Sequence, residues 1–219
     1  MRVTWTKSVG FLMLLLAPLL TAADNPAQTR AFEEGTHFEV LTNPVATPDN
    51  KLEVIEFFWY GCPHCYRIEP HVKQWLESAG SDVRVVRMPG VLNPGWALLA
   101  RAYYAAEALG VLDKVHEPIF QVIHDQGRRL GSEEAVIQLV SGLGVEGAAF
   151  RDAMRSMGVD SKVRRSMELA NNFRLTGVPA FVVAGKYRVI NSGAANYQEM
   201  FQIVDFLLAR ERRAASNSG

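Results

Sequence analysis

Cysteine is scarce in this sequence: there are two, Cys62 and Cys65, among 219 residues. Two cysteines cannot build the disulfide framework that small exported domains rely on, so stability has to come from an apolar core. Zinc would need two more thiolate or imidazole ligands at suitable spacing, and the five histidines, His37, His64, His71, His116 and His124, are scattered without such a pattern. No metal and no cofactor is expected. Long apolar runs are lacking too. The stretch at residues 9–20 is about a dozen residues, short of the ~20 that span a bilayer. Nor is there an excess of charge of one sign, since 23 basic residues face 23 acidic ones. That balance gives no support for nucleic acid or another polyanion as a partner. Low-complexity segments and internal repeats are absent.

The short apolar stretch has an order of its own. Arg2 and Lys7 precede it, and the small residues Thr21, Ala22 and Ala23 follow, as in a secretory signal peptide cut near Ala23. No cysteine stands at the cut, so a lipid anchor is not indicated. Removal of residues 1–23 takes two basic residues and no acidic one, leaving 21 against 23 and a net charge of about −2 on 196 residues. In an oxidising compartment the single cysteine pair is then free for function.

That pair reads Cys62-Pro63-His64-Cys65. Thiols spaced i, i+3 at the start of a helix can close a small disulfide and reopen it by exchange. A purely structural bridge is the poorer reading, because a two-residue loop removes little chain entropy.

The surrounding pattern reads as follows. Residues 24–35 are polar and form a loose arm, and 52–60 have the β-branched and aromatic content of a strand covered on both faces. Gly61 turns the chain into a helix from Cys62 through Leu76, which Pro70 is expected to kink. Residues 83–88 form the next strand, parallel to the first in a β-α-β unit. A helical block follows, with one helix from the Asn93-Pro94 cap to Gly110 and others over 114–126, 132–143, 146–157 and 161–175. Strands return at 180–183 and 187–190 around Gly185-Lys186, and a last helix, capped by Asn196 with Glu199 three residues on, runs to about Arg213. The order implies an α/β fold with a mixed central sheet flanked by helices and a helical domain inserted in the middle.

Phe57-Phe58-Trp59-Tyr60-Gly61-Cys62-Pro63-His64-Cys65-Tyr66, Thr176-Gly177-Val178-Pro179 and the helical block between them make the sequence resemble the DsbA family of thioredoxin-like exported thiol oxidases. The resemblance covers nearly all of the chain after residue 23. It implies a thioredoxin-like fold in two parts, residues 24–91 and 167–213, around an inserted helical domain at 92–166, with a tail at 214–219. It implies a periplasmic thiol:disulfide oxidoreductase, a monomer that donates the Cys62–Cys65 disulfide to reduced exported polypeptides and is reoxidised by a membrane DsbB-type quinone-linked partner. Cys62 would be attacked by substrate and Cys65 would resolve the mixed disulfide, with Pro63 and His64 on the rim. A cis Val178-Pro179 bond would face the pair, its backbone pairing with an extended substrate.

An acid in an apolar strand, Glu56, has to be exposed, paired or protonated. The family carries an acid at this place beneath the active site, able to pass a proton as Cys65 changes state. Family members can also carry a lysine soon after the second strand, but none stands in residues 90–96, so no lysine is expected to tune Glu56 from there. Trp59, Tyr60 and Tyr66 can provide apolar surface around Cys62, whereas Phe58, Trp96, Tyr103 and Tyr104 read as core. Two other readings stay open on the residues alone: a reductase or isomerase with the same chemistry, and a secreted peptide-binding chaperone with an inert disulfide.

Overall fold

The structure, a computed structural model, describes residues 1–2, 32–46 and 51–217. The signal-peptide reading, its cut near Ala23 and most of the polar arm lie outside the described residues. No helix among the described residues is long and apolar enough to cross a membrane.

The strand expected at 52–60 is β2, Leu52–Phe58, and six of its seven residues are buried. A strand so covered must lie inside a sheet. It pairs in parallel with β3 (Val83–Pro89), from Leu52 opposite Val83 to Phe58 opposite Pro89, and antiparallel with β4 (Ala180–Val183) on its other side. The β4 strand continues into β5 (Tyr187–Val189). Their connection places Ala184 at φ 51° and Gly185 at φ 60°. Gly185 has a second constraint, since a Cβ there would run into the Val45 carbonyl. A three-residue strand not expected from the sequence, β1 (Phe38–Val40), adds to β5 and gives the order β1-β5-β4-β2-β3. It is too short for an alternation to be read, and its place depends on β5, about 150 residues later.

Helix α1, Pro63–Ser78, crosses from β2 to β3 and continues through Pro70 as one element. With the C-terminal helix α7 (Tyr197–Ser216) it covers one face of the sheet, where Val54, Ile68, Val72, Trp75, Phe181, Ile203 and Leu207 form a buried cluster. The helices between β3 and β4 are α2 (Ala97–Ala108), α3 (Leu112–His124), α4 (Glu133–Gly142), α5 (Gly147–Arg155) and α6 (Met157–Asn172). Ala- and Leu-rich α2 is their centre, packed on α3, α5 and α6. The other sheet face joins this block, with Phe57 edge-on to Phe173 at 6.0 Å.

Local signals account for most helix starts. Ser132 Oγ accepts the Ala135 amide, and Asn196 Oδ1 accepts that of Glu199, whose carboxylate takes the Ala195 amide in return. The helix expected at 161–175 begins earlier, at Met157. Ser156 ends α5 and caps α6 at once by accepting the Val159 amide, so no loop separates them.

Phe58 lies where sheet, α1 and helical block meet. It is fully buried against Tyr60, Tyr103, His116 and Phe120, and the Arg87 guanidinium lies 5.4 Å over its ring. Truncation there leaves a cavity bounded by separate elements that cannot all collapse into it. Phe58→Ala is therefore expected to lower unfolding stability by about 3–5 kcal/mol, read from urea denaturation of the reduced protein. A loss below about 1 kcal/mol would contradict this account of the core.

Candidate active site

The helix start at α1 builds the site. Cys62 is the N-cap, with extended backbone (φ −89°, ψ 116°), and its sulfur accepts the Cys65 amide at 3.4 Å, as a serine or asparagine oxygen would. Pro63 occupies the first helical position, where the missing N–H costs nothing. The Cys62 amide donates to the Trp59 carbonyl at 2.9 Å, closing the turn from β2. Both thiols are unlinked in the structure.

The two sulfurs have opposite surroundings. Hydrogen bonding from the Cys65 thiol is the largest influence on Cys62; burial opposes it, and the amides of Cys65 and His64 with the His64 charge add to it. The Cys62 thiol is thereby lowered to about 6. Burial is the first cause at Cys65, which is 0 % exposed, and the bond it makes to Cys62, the Cys62 charge and that of Glu56 all push the same way, so its thiol is pushed far up. A thiolate is thus stable on Cys62 and unstable on Cys65 near neutral pH.

Pro63 and His64 are exposed beside the pair, and His64 Nδ1 lies 3.0 Å from the Arg67 guanidinium. The Val178–Pro179 bond is cis, and the Cys62 thiol donates to the Val178 carbonyl at 3.3 Å across 116 residues of chain. Asn191 holds the next carbonyl, that of Pro179. A cavity of about 610 Å³ opens here, lined by His64, Val178, Pro179, Asn191, Tyr197 and Met200 among others. The structure therefore brings Cys62, Cys65, Pro63, His64, Val178 and Pro179 to one place.

Glu56 is not exposed but 1 % accessible, on an interior strand. Its partner is Arg87, directly opposite in the parallel β2–β3 register and bonded at 2.6 Å. Arg87 also binds Glu69 of α1, and lies 3.0 Å from Nε2 of His116, whose Nδ1 is 2.8 Å from the Tyr60 hydroxyl. Burial pushes the Glu56 carboxyl up, Arg87 opposes that shift, and the Glu69 charge adds to it. At Glu69 burial acts the same way, but the hydrogen bonds from His116 and Arg87 outweigh it and hold its carboxyl down. Burial also lowers His116, keeping its ring neutral. One permanent cation thus faces two carboxyls, of which Glu56 is held up by burial and Glu69 is held down by its partners.

Arg87, Glu69 and His116 were not singled out from the sequence. The signal was the acid in an apolar strand, which had to be exposed, paired or protonated; it is paired, and the cation stands on the neighbouring strand and not in the segment after it. Tyr60 is 1 % exposed and belongs to this cluster, so it does not add to the apolar surface around Cys62. Trp59 and Tyr66 are half-buried, as is Trp96, which lies at the surface end of the helical block and not within its core.

Comparison with known proteins shows the family. Residues 88–205 match the family model of the DSBA-like thioredoxin domain. The chain is similar to the thiol:disulfide interchange protein DsbA of Pseudomonas aeruginosa, 34% identical over 204 residues that cover 93% of this chain and 95% of that one. It is similar also to the DsbA of Azotobacter vinelandii, 36% identical over 198 residues, 90% of each. The crystal structure of Pseudomonas aeruginosa DsbA superposes with a TM-score of 0.81 at 33% identity, covering 84% of this chain and 97% of that one.

A direct consequence is a split titration. In reduced protein the thiolate absorbance of Cys62 is expected to titrate with a midpoint near 6, with Cys65 protonated and unalkylated throughout. His64→Ala should raise the midpoint by less than about one unit, because the hydrogen bonds from Cys65 remain. A parent midpoint near the ~8.5 of a free cysteine would contradict the account.

Proposed function

The chain belongs to the DsbA family of thioredoxin-like thiol:disulfide oxidoreductases, and from that premise we propose that it donates its Cys62–Cys65 disulfide to reduced exported polypeptides. The observation that carries this direction of transfer is the opposed acidity of the two sulfurs. A stabilised Cys62 thiolate favours the reduced protein, so the disulfide form gives up its oxidising equivalents readily.

The exchange runs in two steps. A substrate thiolate attacks Cys62 Sγ, the Cys62–Cys65 bond breaks, and Cys65 leaves with the bonding electrons. Its thiolate is disfavoured in its buried place and takes up a proton, for which Glu56, the carboxyl whose charge acts on Cys65, would be the donor. A second thiolate of the substrate then attacks the substrate sulfur of the mixed disulfide, and Cys62 leaves as a stable thiolate. The substrate is oxidised by two electrons and the protein reduced by two. Val178 and Pro179, beside Cys62, would align the substrate as an added extended segment, and Pro63 and His64 would form the rim it passes.

The same reading places the mature protein in the periplasm after cleavage near Ala23, acting as a monomer and reoxidised by a membrane DsbB-type partner. No cofactor is needed, since the electrons pass between sulfurs. The domain division 24–91, 92–166 and 167–213 belongs to this proposal. An apolar groove alone would also suit a peptide-binding chaperone, but inert binding gives no reason for the opposed acidities.

Trapping tests it. Cys65→Ala removes the resolving thiol, so oxidised model substrates are expected to accumulate as mixed disulfides on Cys62, while Cys62→Ala should trap none and the parent should oxidise a reduced peptide catalytically. Equal trapping by both variants, or no peptide oxidation by the parent, would overturn the proposal.

A further inference from the structure

Trp59 is the residue whose main chain brackets both thiols. Its carbonyl accepts the Cys62 amide at 2.9 Å, and its own amide favours the thiolate of Cys65. Any displacement of residue 59 therefore moves the N-cap sulfur relative to the helix amides and changes the contact at the buried one. What holds residue 59 has a direct bearing on the chemistry.

The main-chain pairing of β2 ends at Phe58, one residue earlier. The Trp59 side chain receives no help from hydrogen bonding, because its indole N–H is buried with no acceptor among the described residues. Packing alone places it, and two neighbours supply that packing. The ring lies against Gly61, where a Cβ would come within 2.4 Å of two atoms of its six-membered ring. It also stacks on Trp96 with ring centroids 4.2 Å apart and planes 2° from parallel.

Trp96 is itself well fixed. It ends the 3-10 turn Pro94–Trp96, whose cap Asn93 accepts the Gly95 amide at 3.0 Å through its side chain and the Trp96 amide at 3.1 Å through its carbonyl. The next residue begins α2. The stack thus joins the start of the helical block to the residue between β2 and the thiols.

We propose that Trp96 is a positioning residue for the thiol pair, acting through its stack on Trp59 to hold the backbone that brackets Cys62 and Cys65. This rests on the reading of the pair as redox-active. Gly61 has the complementary duty of leaving room for the ring. Its φ is not in the left-handed region, so an alanine suits its backbone, and the three atoms nearest to the added Cβ all belong to Trp59.

The test compares the parent with Trp96→Ala, Trp96→Phe and Gly61→Ala in reduced form, first by circular dichroism to establish folding. The readouts are the Cys62 thiolate titration and the equilibrium with glutathione. Trp96→Ala is expected to raise the midpoint by about half a unit and to shift the glutathione equilibrium toward oxidised protein by about threefold, the factor to which half a unit corresponds. Trp96→Phe keeps an aromatic face and should recover most of the parent values. Gly61→Ala displaces the ring by direct contact and should shift both readouts in the same direction with Trp96 intact.

A folded Trp96→Ala variant with parent midpoint and equilibrium would overturn the proposal. If that variant does not fold, unchanged values in Gly61→Ala overturn it instead. A parent midpoint already at the free-thiol value would remove the redox reading beneath it, an outcome separate from unchanged variants around a low parent midpoint.

Discussion

A sulfur atom stands where a helix usually has an oxygen. The first amides of α1 have no partners within the helix, and at the N-cap Cys62 Sγ takes the amide of Cys65 at 3.4 Å. An oxygen there would only cap. A sulfur both caps and ionises, and the groups that satisfy the helix start also stabilise its negative charge. The remaining features of the site follow from that placement. Pro63 fits because the position needs no N–H, and Cys65, one turn further in, is fully buried and cannot share the charge.

Beneath the pair lies a second constraint, the cost of burying charge. Glu56 on β2, Arg87 on β3, Glu69 on α1 and His116 on α3 meet in a space that admits little water. Removing any one member leaves another charged or polar group unpaired, which costs more than the pair contributes when intact. The cluster ties the sheet, its crossover helix and the helical block together. Its Glu56 carboxyl, pushed up by burial, also acts electrostatically on the buried Cys65 sulfur.

Much of this was legible in the sequence, for physical reasons that differ by element. The run from Leu52 to Phe58 reads as an interior strand because nearly every residue in it is apolar, and Cys62-Pro63 reads as a helix start because both residues suit the first turn. The parallel pairing of β2 with β3 follows from the length of the crossover. By contrast β1 is three residues long and is specified by its neighbour β5, and the start of α6 is set by Ser156 serving two helices. At the site, the local motif identifies both cysteines, Pro63 and His64, and the Val178-Pro179 motif is recognisable from the family. That Glu56 had to be exposed, paired or protonated was legible too. Arg87, Glu69 and His116 were not, because they come from three elements, and the register that sets Arg87 opposite Glu56 exists only in the folded sheet. The Trp59–Trp96 stack was hidden in the same way, its rings separated by 37 residues of chain.

The central claim is that the Cys62 thiolate stabilises the reduced protein and so makes the disulfide an oxidant. A thiol whose folded value, about 6, lies below that of the unfolded chain, about 8.5, contributes stability that is complete above the unfolded value and is lost as pH falls through the folded one. The oxidised protein has no such thiolate. The most direct test is a comparison of denaturant midpoints for oxidised and reduced protein at pH 7 and again at pH 5. The account predicts that the reduced form is the more stable at pH 7 and that its advantage shrinks at pH 5. An oxidised form that is equally or more stable at pH 7, with a difference that does not change with pH, would contradict it.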